Sequence, residues 1–298
     1  MIRLRITDYG LESDMKKSIS YWSFPGGLDA SKPVAEAFWE GKAAEFEAME
    51  VAISTAGEIT PDSTEADLAK VKQAAEDAGM EIASLACALH FQWPFSSDDP
   101  AVRAKAMDIG RKALDAANAL GTDAVLIIPG CVEVIWDPSI PIVGYADAWK
   151  RASEGIGGLA DHAKAAGVAI CCENVWNKFL LSPMEMASFI DQFNSPWVAA
   201  YFDVGNCLLN GYPHDWIRVL GKRIRRVHLK DFRKNIGTLN GFVDLLSGDV
   251  EWPEVIRALK EVGYDGPLTA EMIPPYAHYP EVLIENTSRA MDAILGRL

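Results

Sequence analysis

Eight short apolar runs alternate with stretches of helical period along this 298-residue chain, without a linker or low-complexity block between them. The runs lie near 18–23, 46–53, 79–87, 122–129, 168–173, 197–203, 224–230 and 267–272. Among the intervening stretches, 64–78, 100–120, 145–166 and 252–262 each end at a glycine, and 284–295 finishes the chain. Glycine and proline sit at the junctions, as they do where strands and helices alternate. Ser182-Pro183 and Trp252-Pro253 place proline where a first helical turn tolerates it. Eight strand–helix units in about 300 residues predict a single-domain α/β fold, the closed (β/α)8 TIM barrel. The rival is an open doubly wound sheet, which needs a glycine-rich phosphate turn after its first strand; SISYWSFPGGLDAS does not match one. We expect an N-terminal extension over 1–17 and one barrel domain over 18–298.

Four of the runs carry a polar residue at or near their end. VAICCE stops on Glu173, WVAAYFD on Asp203 and GPLTAE on Glu271, while RRVHLKD carries His228. Two glutamates, an aspartate and a histidine form a mixed oxygen and nitrogen ligand set for one divalent metal. Their spacings, one ligand per strand–helix unit, suit a barrel whose active site lies at the C-terminal ends of its strands. Alternation along the strands then points Ala169 and Cys171 inward with Glu173, and Thr269 inward with Glu271. The same rule points Arg226 inward below His228, a charge for which the sequence offers no evident partner. Glu50, inside the second run, is a candidate second layer of support or a member of a buried pair.

The net charge of −14 and an isoelectric point near 4.8 exclude the basic face that nucleic acid requires. No run approaches the roughly 20 apolar residues of a membrane span. MIRLRITDYGLESDMKKS lacks the apolar centre of a secretory signal. Five cysteines without a CxxC spacing fit reduced thiols, so a cytoplasmic protein is expected.

Several segments resemble the xylose-isomerase-like barrel superfamily, and within it the sugar and sugar-phosphate isomerases and epimerases. They are Glu173-Asn174-x-Trp176, Phe202-Asp203-Val204-Gly205-Asn206, His228-Leu229-Lys230-Asp231, Ser247-Gly248-Asp249-Val250-Glu251-Trp252, and Gly263-Tyr264-Asp265-Gly266-Pro267 leading to Glu271. Ketose 3-epimerases, hydroxypyruvate isomerases and inosose dehydratases belong to that group. The resemblance implies that Glu173 and Glu271 bind the metal and also move the proton, with Asp203 and His228 completing the ligand set. Where the epimerases often carry a sugar-contacting histidine, this chain has Asn206. Where they carry an arginine after the strand-seven histidine, Arg233 and Lys234 are approximate counterparts. A DNA-repair endonuclease of this fold would need more histidine ligands and a basic surface, which five histidines and the acidic balance do not supply.

The chemistry implied is proton removal beside a carbonyl through a metal-stabilised enediolate. The expected protein is therefore a metal-dependent isomerase or epimerase of a small sugar, sugar phosphate or related polyol ketone. A dehydratase of the inosose or dehydroshikimate type uses the same ligands, and a non-catalytic binding barrel is a third reading. The ion expected is Mn²⁺, with Mg²⁺, Co²⁺ and Zn²⁺ as alternatives. Asn206, Trp176, His90, Lys230 and Arg233 are the substrate-binding candidates. His90 follows the third run in CALHFQWPF, a loop placed to overhang the mouth. Lys230 shares the inward register of His228 and is a candidate to orient Glu173, to touch a substrate oxygen, or to pair with Asp231 or another carboxylate. Trp22, Phe91, Trp93 and Trp176 are candidates for an aromatic wall over sugar C–H faces. Lys230, Arg233 and Lys234 are also the candidates for a substrate phosphate. Barrels of this kind often pair, so a homo-oligomer is a further expectation.

Overall fold

Helix boundaries in this chain fall where the capping chemistry sits. Thr64 and Asp67 satisfy each other's backbone N–H groups in a capping box that starts α2 (Glu65–Ala78). Gly79 ends it with φ of +63°, a left-handed conformation that costs glycine nothing. The long helices α4 (Pro100–Leu120) and α5 (Tyr145–Ala166) run over the spans their periodicity predicts. The sequence rhythm missed α1 (Val34–Ala43), the one-turn α3 (Leu89–Gln92) and α7 (Pro213–Leu220). Proline opens α6 (Pro183–Asp191), follows the first residue of α8 (Trp252–Glu261), and opens α9 (Pro280–Ile294) four residues earlier than periodicity suggests.

The computed structural model describes residues 14–298, so most of the extension expected over 1–17 lies outside the described residues. Eight parallel strands close into a barrel: β1 (Lys17–Ser20), β2 (Ala48–Ile53), β3 (Glu81–Cys87), β4 (Ala124–Ile127), β5 (Ala169–Glu173), β6 (Val198–Asp203), β7 (Ile224–Leu229) and β10 (Leu268–Ala270). The fold is the (β/α)8 barrel. The first strand is shorter than its apolar run because a 3-10 turn takes Tyr21–Ser23, with Ser20 accepting from the Trp22 amide. A small antiparallel hairpin, β8 (Asp231–Phe232) with β9 (Phe242–Val243), follows β7 directly and stands over the mouth.

Two apolar layers hold the barrel. Ile170 and Cys172 of β5 face the helices and join the large outer core with Ile19, Met49 and Leu85. Ala169, Cys171, Leu126, Ala199 and Tyr201 fill the barrel interior, the alternation expected from the sequence. All five cysteines are buried and unpaired.

Arg226 finds its partner through a break in strand register. Between β2 and β3 the pairing shifts from Met49↔Ile82 to Glu50↔Ser84, leaving Ala83 as the extra residue of a bulge. The Ala83 carbonyl accepts from Arg226 Nε at 2.8 Å, and the guanidinium also pairs with Asp123. A second shift, between Ala200 and Tyr201 of β6, skips Arg225, whose side chain meets the other oxygen of Asp123. The barrel closes where β1 pairs with β10, and Lys17 fastens that seam. Its ammonium donates to Ser288 Oγ at 2.9 Å and Asp292 Oδ1 at 2.8 Å, both on α9.

Candidate metal centre and mouth cavity

Four neighbouring strands of the barrel wall, in the order β10, β7, β6, β5, each deliver one candidate ligand at the C-terminal end. Glu173 ends β5, Asp203 ends β6 and lies opposite His228 on β7, and Glu271 follows β10 with its amide bonded to the Leu229 carbonyl. One donor atom from each of the four comes within 4.8 Å of all the others. His228 Nδ1 lies 3.3 Å from Glu173 Oε1, 3.3 Å from Glu271 Oε2 and 3.8 Å from Asp203 Oδ2. All four side chains are buried.

The loop after β6 is built to aim Asp203. Asn174 brackets the Asp203 backbone, its side-chain oxygen accepting from Asp203 N at 2.8 Å and its amide donating to Asp203 O at 2.9 Å. The Asn206 backbone N–H donates to Asp203 Oδ1 at 2.7 Å, which leaves Oδ2 facing the other ligands. Gly205 is required there because a Cβ would stand 2.6 Å from the Lys230 Cβ and 3.0 Å from its backbone. The Asn206 side chain donates to the Asn174 carbonyl at 3.0 Å, and its backbone carbonyl accepts from Trp176 Nε1 at 2.9 Å.

Beneath the ligands lies a second polar layer. Glu50 is fully buried on β2, and its Oε1 accepts from His228 Nε2 at 2.9 Å. Its Oε2 accepts from the Tyr201 hydroxyl at 2.6 Å and from Ser84 Oγ at 2.9 Å. With Nε2 donating to Glu50, Nδ1 is the nitrogen that faces the three carboxylates, the usual way a carboxylate orients a metal-ligating histidine. Glu50 is thus both a buried pair and the support for His228. Tyr201 is a residue that sequence reasoning missed, and the alternation that places Asp203 inward on β6 could have found it.

The charges at the centre do not balance. Glu50, Glu173, Asp203 and Glu271 carry four negative charges when ionised, against at most two positive charges on Lys230 and His228. Lys230 Nζ lies 3.1 Å from Asp203 Oδ2 and also meets Glu271 Oε2. Even so, Asp203 Oδ2 and Glu271 Oε2 are buried without accepting a well-directed hydrogen bond. Burial pushes Glu173 up to about 7 against the pull of His228 and Lys230. Burial raises Glu271 as well, but Lys230 and His228 outweigh it and hold its carboxyl near 2. Burial likewise raises Asp203, while the surrounding carboxylates overcome burial to keep His228 well above its ordinary value. Buried charges of this kind need a counter-ion or a metal. Orphaned oxygens converging with an imidazole nitrogen therefore fit a divalent cation, and a hard, oxygen-rich donor set suits Mn²⁺ or Mg²⁺.

Above the centre opens a cavity of about 830 Å³ whose floor includes Glu173, Glu271, Lys230 and Asn206. Trp22, Phe91 and Trp176 line it as the sequence led us to expect, whereas Trp93 packs against the core instead. Trp136, Phe242 and Tyr276 complete the aromatic wall. These three sit in irregular segments or the short hairpin, where no periodicity announces a direction. Trp176 packs on Phe242 and Phe232 with ring centroids 5.2 Å apart in both pairs, which couples the hairpin to the end of β5. Asp231 does not pair with Lys230. Its Oδ1 accepts from the Phe232 and Val250 amides and its Oδ2 from Trp252 Nε1, pinning the hairpin to α8.

Two of the substrate-binding candidates lie away from the cavity. Arg233 is exposed and donates to the Ser247 carbonyl at 3.1 Å, outside the cavity. Phe232 takes the inward face of the hairpin, so its neighbour faces out. His90 is fully buried, because α3 turns its ring back under α4, where Nε2 meets the Ala106 carbonyl at 3.2 Å and the ring stacks on Phe95. Burial pushes His90 from 6.5 down to about 4, so the native protein resists a proton that the unfolded chain accepts. Stability is therefore lost as pH falls from 6.5 toward 4, by about 2 kcal/mol at pH 5. Urea unfolding of wild type and His90→Phe at pH 7.5 and pH 5 should show the stability gap between them shrinking by about that amount. A gap independent of pH refutes the assignment.

Comparison with known proteins follows the same lines. A family model described as a xylose isomerase-like TIM barrel matches residues 40–293. An L-ribulose-5-phosphate 3-epimerase of Salmonella paratyphi A is 24% identical over 262 residues, covering 81% of this chain and 84% of that one. The structure of a D-psicose 3-epimerase solved in the presence of D-fructose superposes with a TM-score of 0.76 at 21% identity, over 95% of this chain and 100% of that one. A D-psicose 3-epimerase of Clostridium cellulolyticum H10 with D-tagatose gives a TM-score of 0.77 at 18% identity, over 94% and 99%. At these identities the likeness to solved structures shows the fold. Among the described residues, no helix is long and apolar enough to cross a membrane.

Proposed function

The chain belongs to the xylose isomerase-like TIM barrel family, and from that premise we propose that it is a metal-dependent epimerase or isomerase of a ketone-bearing sugar or polyol. Glu173, Asp203, His228 and Glu271 hold the divalent ion, Mn²⁺ first among the candidates. The observation that carries the proposal is the placement of Glu173 and Glu271 as the outer members of a four-strand arc, with Asp203 and His228 between them. A substrate entering from the mouth cavity meets one carboxylate on either side.

When bound, a divalent ion supplies Lewis-acid polarisation of the substrate carbonyl. The chain's own residues do the rest. One glutamate takes the proton from the carbon next to the carbonyl, and the C–H electron pair moves into the enediolate. The other glutamate returns a proton to the opposite face, which inverts the centre. Lys230 projects into the floor of the cavity, where its ammonium reaches Asp203 and Glu271 and also faces the space a substrate oxygen would take. Burial disfavours its charge, but Asp203 and Glu271 more than offset that and keep it protonated. Trp176, Phe242 and the hairpin they brace wall the reacting carbon from bulk water. Asn206 acts through Asp203 and Trp176 as a positioning residue.

Two measurements test the proposal together. Elemental mass spectrometry of Mn²⁺-reconstituted protein should find about one ion per chain. Incubation with a ketose panel in D₂O should then place deuterium at the carbon beside the carbonyl, in a product of unchanged skeleton. Loss of one water from the product would turn the assignment to dehydration. Failure to bind any divalent ion would remove its basis.

A further inference from the structure

The mouth cavity is far larger and less polar than a free pentose or hexose needs. Its volume of about 830 Å³ lies in the upper part of the range that encloses drug-sized ligands. Polar groups are confined to two places. The floor holds Glu173, Glu271, Lys230 and Asn206, with Asp231 beside them committed to the Phe232 and Val250 amides and Trp252 Nε1, and the rim holds Asn240 with Asp244, whose carboxylate accepts from the Tyr276 hydroxyl. Between them the wall is Trp22, Phe91, Trp136, Trp176 and Phe242 with the aliphatic side chains beside them. The apolar character continues outward: Leu28, Trp136 and Leu239 line the opening and are 52%, 47% and 42% exposed. Large apolar side chains left in water around a pocket mouth mark a surface that a ligand covers.

Charge points the same way. Among the described residues, Lys230 is the only cation in the cavity lining, and its ammonium already faces Asp203 and Glu271. Arg233 is tied to the Ser247 carbonyl outside, and Lys234 lies over the Tyr212 ring. A phosphate at the far end of a sugar would meet Asp244 and aromatic faces instead of the fork of donors that phosphate recognition uses. Resting on the reading that this site handles a ketone-bearing sugar, we infer that the substrate carries an uncharged apolar or aryl substituent, with the sugar on the polar floor and the substituent against the aromatic wall and rim.

The experiment compares three probes on the Mn²⁺-reconstituted full-length protein: D-fructose, D-fructose 6-phosphate and 6-O-benzyl-D-fructose. Affinity is read from quenching of tryptophan fluorescence, and exchange from deuterium entering C3 in D₂O. Burying a phenyl group predicts that the benzyl ether binds at least about tenfold more tightly than fructose. The phosphate ester should bind no better than fructose. Trp136→Ala should reduce the ratio of benzyl-ether to fructose affinity several-fold.

Equal affinities for all three, tightest binding of the phosphate ester, or no binding of the benzyl ether overturns the inference. The outcomes separate it from the functional reading beneath it. Deuterium exchange with no preference for the benzyl ether keeps the enediolate chemistry and rejects the substrate class. Preferential binding of the benzyl ether without exchange of any probe does the reverse.

Discussion

Turnover of Glu271→Gln is expected to fall by at least roughly a thousandfold, the scale at which a positioned proton carrier contributes. Glutamine keeps the shape of the side chain and removes the charge that answers Lys230 and His228. If the proposed function holds, it also removes a proton acceptor and replaces an anionic ligand oxygen by a neutral amide oxygen. Glu173→Gln removes the corresponding groups on the other side of the arc and should lose a comparable factor. Because the two act as a unit, the double variant should be little worse than either single one. Steady-state kinetics, deuterium wash-in at the substrate carbon and metal content measured side by side decide the matter. Activity within tenfold of wild type in either variant would show that the carbon is not handled by these carboxylates.

Glu50→Ala is expected to damage stability and metal affinity together, although Glu50 neither lines the cavity nor belongs to the four candidate ligands. Three buried donors lose their acceptor: His228 Nε2, the Tyr201 hydroxyl and Ser84 Oγ. Each buried group left unsatisfied costs about 1–3 kcal/mol. The three share one partner and are not additive, so a net loss of about 3–5 kcal/mol is expected. His228 would also lose the contact that fixes its tautomer, and removing such a support typically costs about 10- to 100-fold in metal affinity. Glu50→Gln retains an acceptor oxygen and should be milder on both counts. Urea midpoints and competition with a metal-binding dye measure the two effects. Unchanged metal affinity in Glu50→Ala would detach Glu50 from the centre and leave it a purely structural residue.

The elements legible in the sequence were those whose evidence is local. Buried parallel strands read as apolar runs, and a charge at the end of such a run is conspicuous, which is how Glu173, Asp203 and Glu271 stand out. Terminal glycines bound α2, α4 and α5 for the same reason, and a capping box starts α2. What stayed hidden depends on register between segments far apart in the chain. Arg226 seemed unpartnered because its acceptor, the Ala83 carbonyl, exists only where β3 bulges against β2. His90 sits after a strand end, where a mouth residue belongs, but one turn of helix sends its ring beneath α4. The wall residues Trp136, Phe242 and Tyr276 lie in segments whose direction is set by what they pack on. Arg233 lies outside the cavity by a single residue of hairpin alternation.

The seam between β1 and β10 gives this architecture an order in time. A ribosome makes β1 first and β10 last, and the barrel cannot close until the two meet and Lys17 reaches Ser288 and Asp292 on the final helix. Glu271 arrives with that last strand. A nascent chain stalled before it would hold Glu173, Asp203 and His228 but lack Glu271 and an intact wall behind them. The four-residue cluster is therefore the last thing the barrel assembles, complete only when β10 has paired with β7 on one side and β1 on the other.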